Sequence, residues 1–246
     1  SRLVGSEMCI RDRGRPGTGL HPLRGQNNVQ GASDAGLIPM VYPNYQSVED
    51  IDIRSFFEDK WGRSLDPSKG LTVVEIMNRI VSGQMFGMYV MGENPAMSDP
   101  DQNHARTALS KLQHLVVQDI FFTETAWFAD VIFPASAQPE KAGTYTNSNR
   151  QVQIGFPVRK APGDAEQDWK LIVDLANRCR LNWNYKNVSS VYKEMASTMS
   201  SLNNISWERL EKEGAVCYPV DDETSFGNEI LFSEGFPTSN GKAKIV

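Results

Sequence analysis

The residue types at positions 24–31 could bind an anionic or heteroaromatic ligand. One guanidinium, from Arg24, stands beside a group of carboxamides: Gln26, Asn27, Asn28 and Gln30. Carboxamides both donate and accept hydrogen bonds, and a guanidinium fork matches a carboxylate or a phosphate group. An Asn- and Gly-rich turn with a solvated arginine would have the same composition. The segment is therefore a candidate ligand site, with a plain turn as the alternative.

Two further polar segments follow apolar runs that have the length of strands. Residues 92–95 come after the run at 88–91, and Gln118 and Asp119 come after a run that starts at residue 115. In an open parallel sheet such segments meet at the carboxyl edge, where helix N-termini and backbone N–H groups receive ligands. Asp119 lies 27 residues beyond Gly92, where an acidic side chain often accepts hydrogen bonds from a ribose or a base. A turn at Gly92 and a helix cap at Asp119 would explain the same residues, because a G-x-G-x-x-G fingerprint is missing.

The order of apolar segments predicts an α/β fold with a doubly wound, mostly parallel sheet. Strands and helices are expected to alternate: strand 88–91, helix 101–112, strand 115–117, helix 123–128 and strand 131–133. Before them, Thr72 is expected to cap a helix whose apolar residues recur at i, i+3 and i+4, and Gly83 to end it. Continuous apolar strands separated by helices are typical of a parallel sheet covered on both faces.

The segments outside this unit have other patterns. Residues 14–44 are dense in Gly, Pro and Asn, which indicates a long structured loop, and residues 48–61 fit a short amphipathic helix. Residues 143–156 alternate as in a hairpin whose turn is at 147–149. Further helices are expected at 168–180, 189–199 and 206–213.

We therefore predict four parts. Residues 1–13 have no helical or strand period and are expected to be a leader that is disordered or foreign to the fold. Residues 14–70 form a loop segment, and residues 71–182 form an α/β domain. Residues 183–246 form a helical extension.

Composition and charge argue against several classes of protein. The chain has 246 residues and a formal net charge of −5, without the basic run that a nucleic-acid binder needs to neutralise phosphates. No apolar stretch reaches the roughly 18 residues of a membrane span. Cys9, Cys179 and Cys217 are too far apart for a metal-knuckle spacing, so no metal ligand is predicted. The expectation is a soluble cytoplasmic protein without direct membrane insertion.

Eight short motifs resemble those of molybdenum-dependent formate dehydrogenases, in the same order. These enzymes belong to the molybdopterin oxidoreductase superfamily, which binds bis-molybdopterin guanine dinucleotide. The motifs are RPGTG at 15–19, LRGQNNVQG at 23–31, YP at 42–43, MGENP at 91–95, VQDIF at 117–121, TET at 123–125, ADV at 129–131 and EKAGT at 140–144. The resemblance extends from about residue 14 to residue 245 and implies the dinucleotide-binding fold of that superfamily. It implies a cofactor or substrate loop segment at 14–70 and a guanine-dinucleotide-binding domain at 71–182.

The resemblance implies roles for the candidate residues. Arg24 matches the family's active-site arginine, whose fixed charge would hold the carboxylate of formate near the metal. Gln26, Asn27 and Asn28 would lie beside it, close to the pterin. The implied dinucleotide-binding positions are Gly92, Glu93, Asn94, Gln118, Asp119, Lys141 and Asp168.

Two of these positions have a second explanation. By resemblance Lys141 would meet a phosphate and Asp168 a guanine edge. A surface ion pair would account equally well for both residue types, and Asp168 also precedes an apolar helical run, where a carboxylate favours the helix dipole.

By the same resemblance the chain is expected to be the middle of a larger enzyme. The family's cysteine cluster for a [4Fe-4S] centre, its Cys or selenocysteine metal ligand and its carboxyl-terminal domain would lie outside this sequence. Ser33 and Ala35 stand where relatives often have Cys and Met, which affects local packing only. The implied reaction is oxidation of formate to carbon dioxide at a molybdenum or tungsten centre, with iron–sulfur or NAD/flavin subunits as electron-transfer partners.

Two other functions fit the sequence. One is a nitrate reductase or a complex I-type subunit of the same superfamily. Arg24 followed by Gln26 and Asn27 favours a formate dehydrogenase over these two. The other is a nucleotide-binding interaction module, in which the loops at Gly92 and Asp119 are structural and no catalysis takes place.

Overall fold

A computed structural model of the chain describes residues 23–228, 231–232, 235–236 and 238–242. The predicted leader at residues 1–13 lies outside these ranges, as does the start of the Gly- and Pro-rich segment. The longest α-helices in the described ranges have 11 residues, and no helix there is long and apolar enough to cross a bilayer.

The N-terminal described region folds into short elements around a small aromatic core. These elements are helix α1 (Val29–Asp34), the antiparallel strands β1 (Val41–Tyr42) and β2 (Gln46–Ser47), and helix α2 (Ile51–Trp61). Tyr42 stacks on Phe57 of α2 with ring centroids 4.5 Å apart. The helix predicted at 48–61 is confirmed. The loop predicted for 14–44 contains α1, because tertiary contacts described below outweigh the low helix propensity of its sequence.

The chain then alternates between helices and strands. In order these elements are α3 (Val73–Val81), β3 (Gly87–Met91), α4 (Pro95–Ser98), α5 (Gln102–Lys111), β4 (His114–Asp119) and β5 (Val131–Pro134). The hydroxyl of Thr72 accepts from the amide of Glu75, whose carboxylate accepts from the amide of Thr72, so the predicted cap of α3 is confirmed as a capping box. The helix predicted at 123–128 is only a 3₁₀ turn, Ala126–Phe128, and the amide of Thr125 before it donates to the side chain of Asn94.

Strands β3, β4 and β5 form a parallel sheet in chain order. Side chains alternate between the two faces of a strand. On one face of the sheet, Leu115 and Val117 of β4 pack with Leu109 of α5. Helix α5 also contacts α3. Gln118 points to the other face, where it bonds to the first residue of helix α6 (Asp168–Arg178). The predicted α/β class with a mostly parallel sheet is confirmed.

A second sheet and the C-terminal helices share one core. Strands β6 (Gly143–Thr146) and β7 (Gln151–Gly155) form the predicted hairpin, and β8 (Ala215–Cys217) pairs antiparallel with β7. Strand β8 was not predicted, because three residues are too short for a recognisable alternation. Helices α7 (Val188–Ala196) and α8 (Trp207–Glu213) bury Tyr192 and Leu210 against Val152 and Val216. The helical extension therefore packs on the hairpin rather than on the parallel sheet.

The buried face of β4 gives a test of the sheet. Leu115 is fully buried between the sheet and α5, so Leu115→Ala should lower the free energy of unfolding by about 2–5 kcal/mol through lost burial and a cavity. Leu23 is 88% exposed, and Leu23→Ala should change it by less than about 0.5 kcal/mol. Chemical denaturation followed by far-UV circular dichroism measures both, and equal effects would contradict the described core.

Candidate functional site

The segment that contains Arg24 forms one wall of a pocket. Residues 24–30 face the turn between β6 and β7 across a cavity of about 380 Å³. The cavity is lined by carboxamides and by one guanidinium, with residues 146–149 on the far side. Sequence reasoning identified one wall from its composition. It assigned no binding role to the hairpin turn, although the two asparagines there were a usable signal.

Two asparagines hold this wall in place. Asn28 precedes α1 with φ of 62°, a left-handed conformation that asparagine tolerates better than most residues. Its Oδ1 accepts a hydrogen bond from the backbone N of Thr146 at 2.9 Å. The Nδ2 of Asn27 donates to Oε1 of Gln138 at 2.9 Å. Both side chains predicted to bind cofactor therefore join the Gly- and Asn-rich segment to the second half of the chain.

Arg24 is exposed at the pocket and has one described side-chain partner. Its Nη2 donates to Oε1 of Gln30 at 3.1 Å. A guanidinium has five N–H donors, so this bond leaves donors available for a ligand. Gln26 is exposed and lines the same cavity. The structure thus brings Arg24, Gln26, Asn27 and Asn28 into one pocket suited to a small anion or a polar ring.

The remaining candidate residues lie at the carboxyl edge of the parallel sheet. Gly92 has φ of 64°, and its N–H donates to the carbonyl of Gln118 at 2.9 Å. The space toward which a Cβ at Gly92 would point is open. Glu93 is exposed on the same loop. The two loops predicted to converge do converge, and they leave room beside Gly92.

Asn94 joins these two loops. Its Oδ1 accepts from the amide and the hydroxyl of Thr125, at 3.1 and 2.7 Å. Its Nδ2 donates to Glu124 at 2.7 Å, and this bond lowers the pKa of the Glu124 carboxyl. The buried hydroxyl of Thr125 in turn accepts from the amide of Ala96 in α4. Asn94 thereby fixes the shape of the sheet edge through its own side chain.

Asp119 stabilises the turn that follows β4. Its Oδ1 accepts from the amides of Ile120 and Phe121, at 2.6 and 3.2 Å. The helix cap that the sequence left open as an alternative is not formed, because no helix begins at Asp119 and the next helical turn starts at Ala126. The side chain is half-buried at the same edge as Gly92.

A chain of polar contacts crosses from β3 to α6. Gln118 is fully buried, its Oε1 accepts from the hydroxyl of Tyr89, and its Nε2 donates to Oδ1 of Asp168 at 2.6 Å. The other oxygen of Asp168 pairs with the ammonium of Lys141. The side chains of Lys141 and Asp168 are 27% and 30% exposed, so both can be reached from solvent. Tyr89 was missed because the sequence shows only an apolar strand there.

The two groups of residues are connected through the segment between β5 and β6. Gln138, which receives the bond from Asn27, begins the 3₁₀ turn Gln138–Glu140, and Lys141 follows directly. The pocket at Arg24 and the sheet edge at Asp168 are therefore held by one connection. Among the residues that the structure describes, no group of three or more His, Cys, Asp or Glu side chains could hold a metal ion.

The charge of Asp168 can be tested through the tyrosines that face it. Burial raises the pKa of Tyr89 and of Tyr145, and the negative charge of Asp168 raises each further. In Asp168→Asn both pKa values should fall but stay above the ordinary value, because burial remains. Tyrosine ring-carbon NMR during an alkaline titration measures the change.

The matched control is Asp174→Asn, which removes an exposed carboxylate from the same helix. It should leave both tyrosines unchanged. If Asp168→Asn also leaves them unchanged, the contacts described around Asp168 are wrong.

Known proteins with similar sequences or folds show the family to which this chain belongs. The sequence model of the family described as molybdopterin oxidoreductase matches residues 8–178. The chain is 44% identical, over 99% of its length, to the F420-dependent formate dehydrogenase subunit alpha of Methanocaldococcus jannaschii. It is 42% identical, over 94% of its length, to a Staphylococcus aureus protein provisionally named a formate dehydrogenase.

The chain spans 36% and 23% of the lengths of these two relatives. Among solved structures, acetylene hydratase from Pelobacter acetylenicus matches with a TM-score of 0.53 at 19% identity, over 77% of this chain and 26% of that one. This likeness concerns the fold alone. The family match covers most of the chain, and the chain belongs to the molybdopterin oxidoreductase family.

Proposed function

We propose that this chain is part of the catalytic subunit of a formate dehydrogenase, which oxidises formate to carbon dioxide. The observation that carries the proposal is the 44% identity, over almost the whole chain, to a protein named as a formate dehydrogenase alpha subunit. The position of Arg24 supports it, because a guanidinium at a polar pocket suits a small carboxylate.

The residues of both groups fit a molybdopterin guanine dinucleotide. Such a cofactor has phosphates, polar heteroaromatic rings and hydroxyl groups, which need cations, carboxamides and close approach to the backbone. Lys141 supplies the cation, and Gly92 supplies a backbone with open space above it. The pocket near Arg24 supplies the carboxamides of Gln26, Asn27 and Asn28.

We assign the contacts as follows. Lys141 meets a phosphate, and Asp168 accepts from the edge of the guanine ring. Both side chains are partly exposed, so a ligand can reach them. Gln118 is fully buried, and both ends of its carboxamide already have partners, so it acts by orienting Asp168. Glu93, Asn94 and Asp119 shape the loops that surround the ligand.

The chemistry assigned to this chain is electrostatic. Oxidation of formate yields carbon dioxide, one proton and two electrons, and the bound molybdenum or tungsten bis-molybdopterin guanine dinucleotide would accept the electrons. Arg24 binds the formate carboxylate through its planar fork and aligns the C–H bond. Its fixed positive charge also balances the negative charge of the bound substrate.

The electrons then leave through groups outside this chain. In the proposed enzyme the path of these electrons would be supplied by a [4Fe-4S] centre and by an iron–sulfur, NAD or flavin subunit. We place the enzyme in the cytoplasm. We expect no contact with nucleic acid, because a net charge of −5 is unfavourable for binding phosphates.

Substitution of Arg24 tests the proposal. In the complete, cofactor-loaded subunit, Arg24→Ala should lower kcat/KM for formate by roughly 10²–10³, because it removes a charged fork whose hydrogen bonds to the carboxylate contribute about 1.5–3 kcal/mol each. Arg24→Lys should recover only part of the loss, because an ammonium keeps the charge and lacks the fork. Steady-state assays with an artificial electron acceptor measure both.

The control is Arg178→Ala. Arg178 is 76% exposed and pairs on the surface with Asp174, so formate kinetics should stay unchanged. Formate turnover by Arg24→Ala equal to that of the unchanged enzyme, at equal molybdenum or tungsten content, would overturn the proposed function.

A further inference from the structure

Arg24 is the end of a hydrogen-bonded chain that starts in the protein interior. Gln30 accepts from Nη2 of Arg24 at 3.1 Å and donates from Nε2 to Oδ1 of Asp34 at 2.7 Å. The hydroxyl of Tyr218 donates to Oδ2 of Asp34 at 2.8 Å. Asp34 is only 5% exposed, so the chain runs from a surface guanidinium to a buried carboxylate.

The chemistry of these groups fixes which way Gln30 points. A carboxylate only accepts hydrogen bonds, whereas a carboxamide donates from nitrogen and accepts on oxygen. With its nitrogen on Asp34, Gln30 must turn its oxygen outward, toward Arg24. Gln30 and Asp34 are four apart on α1 and lie on the same face of that helix, so their side chains can meet.

The buried end of the chain is anchored by the C-terminal region. Tyr218 lies 184 residues beyond Asp34 and packs against the core of α7, α8 and the second sheet. Arg150 donates to the carbonyl of Tyr218 and lies over its ring, 6.0 Å from the centroid. Burial raises the pKa of the Tyr218 hydroxyl and the bond to Asp34 raises it further, so the hydroxyl keeps its proton.

We propose that Gln30 is a positioning residue that holds the guanidinium of Arg24 toward the pocket, with its own orientation set by Asp34 and Tyr218. The proposal rests on the proposed function, in which Arg24 receives the formate carboxylate. Gln30 occupies one donor of the guanidinium and leaves the others for substrate. A fork held in one direction binds without first losing rotational freedom, which strengthens the contact.

Gln30→Met tests the positioning role, because Met has about the same length and offers only a weak acceptor. In the complete, cofactor-loaded subunit this variant should lower kcat/KM for formate by roughly 10-fold, mainly through a higher KM, since Arg24 remains present but loosely held. Cofactor content and the KM of the electron acceptor should not change. Gln102→Met on α5 is the control and should leave all of these values unchanged, because the Gln102 amide donates to the backbone carbonyl of Met97 at an exposed site.

A double-mutant cycle shows whether Gln30 acts through Arg24. If it does, Gln30→Met should have almost no further effect on kcat/KM in the Arg24→Ala background. Tyr218→Phe removes a single oxygen at the far end of the chain and should lower kcat/KM by about fivefold, the worth of about one hydrogen bond. This loss should also vanish in the Arg24→Ala background.

The outcomes separate this inference from the proposed function. Unchanged turnover by Arg24→Ala overturns the proposed function itself. A large loss for Arg24→Ala, with formate KM unchanged in both Gln30→Met and Tyr218→Phe, overturns the positioning role only. Equal losses for Gln30→Met with and without Arg24 would mean that Gln30 supports the fold of α1 and not the arginine, and would also overturn it.

Discussion

The position of Arg24 depends on a hydrogen bond between two segments far apart in the chain. The backbone N of Thr146 donates to Oδ1 of Asn28, 118 residues earlier, and this bond joins α1 to the edge of β6. Asn28 must take a left-handed conformation to present its oxygen. A Cβ on Gly31 would collide with that same oxygen, so glycine at this position leaves room for the Asn28 side chain to reach Thr146.

The bond at Asn28 sets the shape of the pocket, because the two walls of the pocket come from separate segments of the chain. One wall belongs to the Gly- and Asn-rich segment and the other to the turn of the hairpin. Asn27 adds a second tie, to Gln138, on the connection that leads to Lys141. Arg24, proposed to bind substrate, and the sheet edge, proposed to bind cofactor, can serve one site only if their separation is fixed. The bonds made by Asn27 and Asn28 fix it.

The C-terminal region takes part in the same arrangement. Helices α7 and α8 bury their apolar faces on the second sheet, which carries the hairpin turn of the pocket. Tyr218 extends from this core to the buried carboxylate of Asp34 beneath α1. The region that resembles an appendage in the sequence is therefore a support for both walls. A residue there can change the pocket without contacting any ligand, because each wall is oriented by contacts with this core.

The sequence alone determined the elements and the residue types. Hydrophobic periodicity gave the strands and helices of the parallel sheet, and capping chemistry gave the start of α3 at Thr72, because these signals depend on neighbours within a few residues. The family motifs identified Arg24 and the sheet-edge residues as candidates. The connection between β4 and β5 was predicted less well, since a bond from Asn94 decides its shape.

Only the tertiary structure decided how the candidates are grouped and supported. That Gln118 is buried between Tyr89 and Asp168, and that Gln30 leads from Arg24 to Asp34 and Tyr218, depends on residues brought together across tens to hundreds of positions. A local pattern specifies the face on which a side chain lies. It does not specify the partner on that face, because the partner comes from the packing of whole elements, which no single segment of sequence encodes.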